Sequence, residues 1–189
     1  MSYPSFKSYI KTLGGLLKIK GNWLLKESKD LAKLCSSYGK TLNLTSEEKK
    51  SLLLAAYFKN LGAIYLSDYL LDQEFRDHST MTASMNIWFA ASKKVAQDAG
   101  LEEVATILAQ YHLREVPQHR LARIFQVLNT WVACQQQKGW GKPMSIQETK
   151  LILEQRAQLQ WSDPSIVGHF LECCDQQEWQ SEETAAAYA

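Results

Sequence analysis

The chain has 189 residues, 46% of them hydrophobic and 22% charged, with a formal net charge of +1. One domain with its own core fits that length, and a disordered or collagenous chain is excluded by the composition. No apolar run approaches the 18 residues of a membrane-spanning helix, and the opening MSYPSFKSYIKTLGG lacks the apolar centre of a secretory signal, so a cytoplasmic protein is expected. Helix signals then follow one another along the chain. Helices are expected near 5–19, 22–42, 46–61, 67–72, 80–98, 102–114, 117–138, 145–158 and 164–178. Thr45 with Glu48, and Ser145 with Glu148, have capping-box spacing. Asp163-Pro164 reads as an N-cap followed by proline at the first helical position. Gly62, Gly100 and Gly139 punctuate helix ends. Leu121, Ile124, Phe125, Leu128 and Val132 fall on one helical face, and no stretch alternates like a strand. The expected fold is all-α, a bundle of about eight or nine helices. Residues 1–20 would form an N-terminal helix packed on a core domain of 21–178, and 179–189 a flexible tail.

Charge is unevenly spread. Residues 1–50 hold 10 Lys against 4 Asp and Glu, a balance of +6, and the remainder balances it with −5. An acidic partner, RNA or a membrane surface would suit such a basic end, but a solvated lysine face is the simpler reading, because no Arg-rich or aromatic-interleaved run is present. Nucleic acid is therefore not an expected partner. Cys35, Cys134, Cys173 and Cys174 match no zinc spacing and read as packed thiols. His78, His112, His119 and His169 are scattered, without the spacing of a metal helix. No P-loop, dinucleotide fingerprint or nucleophile elbow occurs. Among six tryptophans, Trp140 in KGWGKP and Trp179 near the tail stand outside the helical pattern. Partner contact is one reading of them, and a loop plug is the other for Trp140.

The stretch ESKDLAKLCSSYGKTLNLTSEEKKSLLLAAYFKNLGAIYLSDYLL, Glu27 to Leu71, resembles the opening of an HD-GYP domain, a branch of the HD metal-dependent phosphohydrolases. Ala55–Ile64 lies over the family's His-Asp segment without a gap, and Ser67-Asp68 over its Pro-Asp turn. LARIFQVLNTWVAC (121–134) is similar to a later helix of the family, and MSIQETKLILEQRAQLQWSDPSIVGHFL (144–171) to its closing segment. The pieces cover most of residues 25–175 in the family's order, which implies an HD-like helical bundle. The family's metal ligands do not carry over. Glu27 stands at the first histidine, Lys59 and Asn60 at the His-Asp pair, and Asn129 at the later aspartate. Ala63 replaces a lysine. His112 matches one of a histidine pair, but the Gly-Tyr-Pro loop is cut short at Arg114-Glu115-Val116-Pro117.

Imidazole and carboxylate ligands hold a metal and acidify its water, whereas a protonated lysine has no lone pair to give. The resemblance therefore implies no metal, no cofactor and no catalysis. A protein-interaction or regulatory signalling module is the expected function, with a protein partner and a compatible homodimer. One alternative is a sensor that binds a nucleotide without hydrolysis, using a residual cleft of Ala63, His112, Arg114 and Arg123, with Arg120 and Lys59 adding charge. Another is a residual phosphodiesterase, which needs a metal. For Lys59 two readings stand side by side: it pairs with Glu27 in the vacated metal position, or it snorkels to solvent.

Overall fold

The structure is a computed structural model and describes residues 5–68, 71, 78–138 and 141–176. Trp140, Trp179, Gly139 and half of the expected 67–72 helix lie outside the described residues. Among the described residues there are eight α-helices: α1 Phe6–Lys20, α2 Asn22–Thr41, α3 Ser46–Leu61, α4 His78–Asp98, α5 Glu102–Gln110, α6 Arg120–Cys134, α7 Ile146–Gln158 and α8 Pro164–Asp175. A short 3-10 turn, Gly62–Tyr65, continues α3. The bundle is all-α; no strand occurs among the described residues, which hold only an isolated bridge between Lys138 and Gly141.

Helix α3 is the centre. Thr45 caps it, with a reciprocal Glu48 bond that satisfies two orphan donors. Its residues Leu52 through Leu61 are buried without interruption. A helix buried on every side is a core helix, and α3 touches α1, α2, α4, α5 and α6. Lys59 and Asn60 are therefore carried into the interior by the packing of their neighbours. The apolar stripe of α6 faces α2 and α3, with Leu121, Ile124, Phe125, Leu128 and Val132 buried. Tyr38 of α2 ties down α8. Its ring meets Phe170 edge-on at 5.3 Å, and its hydroxyl lies 2.9 Å from His169 Nδ1.

Two expected helices are shorter than the periodicity implied. Helix α5 stops at Gln110 rather than 114, and α6 side chains bond the carbonyls of the turns that follow. Gln126 Nε2 donates to the carbonyls of Leu113 (3.0 Å) and Glu115 (3.2 Å), and Arg123 donates to those of Pro117 (2.6 Å) and Gln118 (3.1 Å). The chain stays in turns until His119 opens α6, and these bonds satisfy the carbonyls of that connection. Helix α6 ends at Cys134 rather than 138. Gln136 Nε2 bonds Asp30 Oδ2 of α2 at 2.8 Å, and Met144 N–H bonds the Cys134 carbonyl, so the chain folds back across α2. Gly62 stands at the end of α3, as its C-cap, where the sequence placed it. Its φ is an ordinary −59°, not left-handed. Its need for glycine is one of room: a Cβ there would stand 2.0 Å from the Trp88 carbonyl oxygen and 2.5 Å from Ser92 Oγ.

Candidate functional site: a buried charge network

Glu27, one turn into α2, is 1% exposed. An isolated carboxylate at such a depth would be very costly, so its partners decide what the site is. Lys59 Nζ donates to Glu27 Oε2 at 2.7 Å, and Lys59 is itself only 6% exposed. The lysine therefore pairs in the interior and does not snorkel. Asn60 Nδ2 faces the same Oε2 at 3.0 Å, together with the Leu24 carbonyl at 3.2 Å and Ser28 Oγ at 3.0 Å. From the far side Lys138 Nζ reaches Glu27 Oε1 at 3.0 Å. The turn after α6 exists in a shape that delivers this second ammonium.

Helix α4 locks the arrangement. The last-turn carbonyls of α3 have no partner within the helix. The Lys59 carbonyl accepts from Trp88 Nε1 at 2.6 Å and from Ser92 Oγ at 2.7 Å, and Ser92 Oγ in turn accepts from Gly62 N–H at 3.0 Å. The close approach that makes this possible is the one a side chain at Gly62 would prevent.

The electrostatics follow from one carboxylate facing two ammonium groups. Burial alone would raise the Glu27 pKa. The charges and hydrogen bonds of Lys59 and Lys138 outweigh it and hold the carboxyl down to about 2. Lys59 is in the opposite position. Burial lowers its pKa, Glu27 opposes that, and the second cation at Lys138 adds to the lowering.

A cavity of about 250 Å³ opens beside the network. Trp88 and Phe89 supply apolar wall, while Lys138, Arg156, His112 and Asn129 supply polar wall. Burial lowers the His112 pKa, so the ring is neutral at pH 7, and it stacks on Phe89 at 4.3 Å. The amide oxygens of Asn60 and Asn129 are buried and accept no hydrogen bond from the described residues.

Of the positions singled out in sequence, Glu27, Lys59, Asn60, Asn129 and His112 meet around this cavity. Ala63 is buried in the 3-10 turn and is not part of its wall. Arg114 is exposed and lies over the Trp161 ring at 5.1 Å. Arg123 clamps the loop before α6 and faces Asp163 at 3.4 Å. Arg120 pairs with Glu48 at the surface. Sequence reasoning missed Lys138 and Arg156. Lys138 follows a helix end in an irregular turn, where periodicity carries no signal. Trp88 and Ser92 were legible in principle, because i and i+4 place them on one face of α4.

The donor set does not suit a divalent cation. Both oxygens of Glu27 face ammonium groups, and the Lys59 amine stands where a cation would approach. The neighbouring oxygens of Asn60 and Asn129 are neutral amides. No group of three or more His, Cys, Asp or Glu side chains that would hold a metal occurs among the described residues. The chain matches no protein-family model, and no curated protein sequence is significantly similar to it.

Proposed function

We propose that this chain is a catalytically inactive, HD-GYP-like helical domain that acts as a protein-interaction or regulatory module in cytoplasmic signalling. One observation carries the reading: the carboxylate at the first ligand position is neutralised from both sides by Lys59 and Lys138, at 2.7 and 3.0 Å. On the resemblance to HD-GYP domains, this internal charge network takes the place of the metal centre that those enzymes assemble. A packed helical scaffold survives such a replacement, because fold and chemistry are separable. Purification of the tagged chain from its native cells under mild conditions, followed by mass spectrometry and elemental analysis, tests the reading. A reproducible, near-stoichiometric protein partner is expected. A preparation free of protein partners but carrying stoichiometric metal would overturn it.

A second reading is favoured by the cavity itself: a sensor that holds a nucleotide or similar small anion without cleaving it. Lys138 and Arg156 offer positive charge, and the Asn60 and Asn129 oxygens offer acceptors to a ligand's N–H groups. A rise in melting temperature with added nucleotide, lost in Lys138→Ala, supports this reading, and no shift with any nucleotide at millimolar concentration removes it.

A further inference from the structure

Away from the charge network, α1 crosses α2 and α3 and leaves a groove of about 640 Å³. Phe6, Ile10, Leu25 and Tyr57 give it an apolar floor. Lys7, Lys11, Lys18 and Lys29 stand along its rim, all exposed. Helix α1 contains no acidic residue. Among the described residues no carboxylate pairs with Lys11, Lys18 or Lys29, although Lys20, Lys26 and Lys50 on neighbouring turns each have one.

The middle of α1 is Gly14-Gly15, a pair poorly suited to a helix interior. Gly14 is explained within the chain, since a Cβ there would meet Leu25 at 3.3 Å. Gly15 is not: it is exposed, lines the groove, and a Cβ there would meet nothing within 4 Å. A residue that weakens its own helix and only keeps space open suits a visitor from outside. From Phe6 to Lys18 the groove runs about 18 Å, a little over three helical turns.

We propose that this groove is a docking site for an acidic amphipathic helix of a protein partner. The visitor's apolar stripe lies on Phe6, Ile10 and Leu25, with a side chain over Gly15, and its Glu and Asp residues face the lysine rim. The inference rests on the reading of the chain as an interaction module. Two features favour a helix over the other partners of a basic surface. The groove's apolar floor is half-buried or buried between the lysines, and the exposed Leu16 and Ile19 of α1 are not among its lining residues, whereas a bilayer asks for a protruding apolar face. The rim is entirely lysine, with no arginine in residues 1–50 to fork onto phosphates.

The test uses the whole chain and a labelled 16-residue helical peptide with leucines on one face and glutamates on the other. A peptide with lysines in place of the glutamates, and phosphatidylserine vesicles, serve as the other probes. Fluorescence anisotropy should show saturable binding of the glutamate peptide and none of the lysine peptide. Binding should fall at least tenfold in Gly15→Leu, which fills the groove, and in the Lys11→Glu, Lys18→Glu double variant. Both variants change exposed positions, and circular dichroism should show them folded. No binding of the glutamate peptide, binding that neither variant weakens, or vesicle binding in its place would overturn the groove. Native co-purification with the same variants separates the two ideas. A partner kept by both variants sinks the groove and leaves the interaction module standing, whereas no partner with the unaltered chain sinks the module itself.

Discussion

Lys59→Met keeps the length and apolar stem of the side chain and deletes the ammonium that faces Glu27 at 2.7 Å. The carboxylate then sits at 1% exposure with Asn60 Nδ2 at 3.0 Å and Lys138 at 3.0 Å as its remaining support. Breaking a buried pair by removing one member costs about 3–5 kcal/mol. Because Lys138 still opposes the charge, the lower end applies, about 3 kcal/mol. For a chain of this size that is a fall of roughly 6–12 °C in melting temperature. Urea denaturation at pH 7.5, followed by circular dichroism, reads it as a lowered midpoint at unchanged slope. Adding Glu27→Leu removes the stranded carboxylate, and Lys138, at 16% side-chain exposure, can turn to solvent. The double variant should therefore recover most of the loss, which a double-mutant cycle measures as coupling between positions 27 and 59. A single Lys59→Met variant within about 0.5 kcal/mol of the original chain, well below the cost of a broken buried pair, would refute the reasoning.

The same pair sets a pH dependence. The Glu27 pKa falls from 4.5 to about 2 on folding, so its stabilisation is complete above 4.5 and is lost as pH drops toward 2. The stability difference between the original chain and Glu27→Gln should shrink by about 3 kcal/mol across that window, as read from urea midpoints; a constant difference would contradict the assignment. Gly62→Ala should destabilise by at least about 2 kcal/mol, since its Cβ would collide with the Trp88 backbone, whereas Gly168→Ala, with open space in α8, should be neutral or gain about 0.5–1 kcal/mol. Thermal melts of the two variants compare them directly. Thr45→Ala removes the cap of the central helix and should cost about 1 kcal/mol by the same melts; Thr45→Ser should retain most of it.

Local rules carried much of the architecture. The capping boxes at Thr45 and Ser145 and the Asp163-Pro164 start form as their spacing implies, because caps are satisfied by side chains three residues away or fewer. The face of α6 was legible for the same reason: periodicity is local. The ends of α5 and α6 were not, because the connections that follow them are held by Gln126, Arg123 and Gln136 through contacts that no local pattern reveals. The site divides along the same line. Glu27 and Lys59 meet in the interior, which is one of the two readings that the sequence left open for Lys59. Lys138 joins them from an irregular turn far along the chain from both, a tertiary event with no sequence signature. Arg114 and Arg123 had the right charge for a cleft but are held by Trp161 and by loop carbonyls instead.

The most direct test of the central claim is a calorimetric titration of Mn²⁺ into chelator-treated protein at neutral pH, alongside Glu27→Gln. The account predicts no saturable heat that depends on Glu27, because Lys59 and Lys138 already occupy both of its oxygens. Saturable uptake of about one ion per chain by the original protein, abolished in Glu27→Gln, would show that the carboxylate still holds a metal and would contradict it.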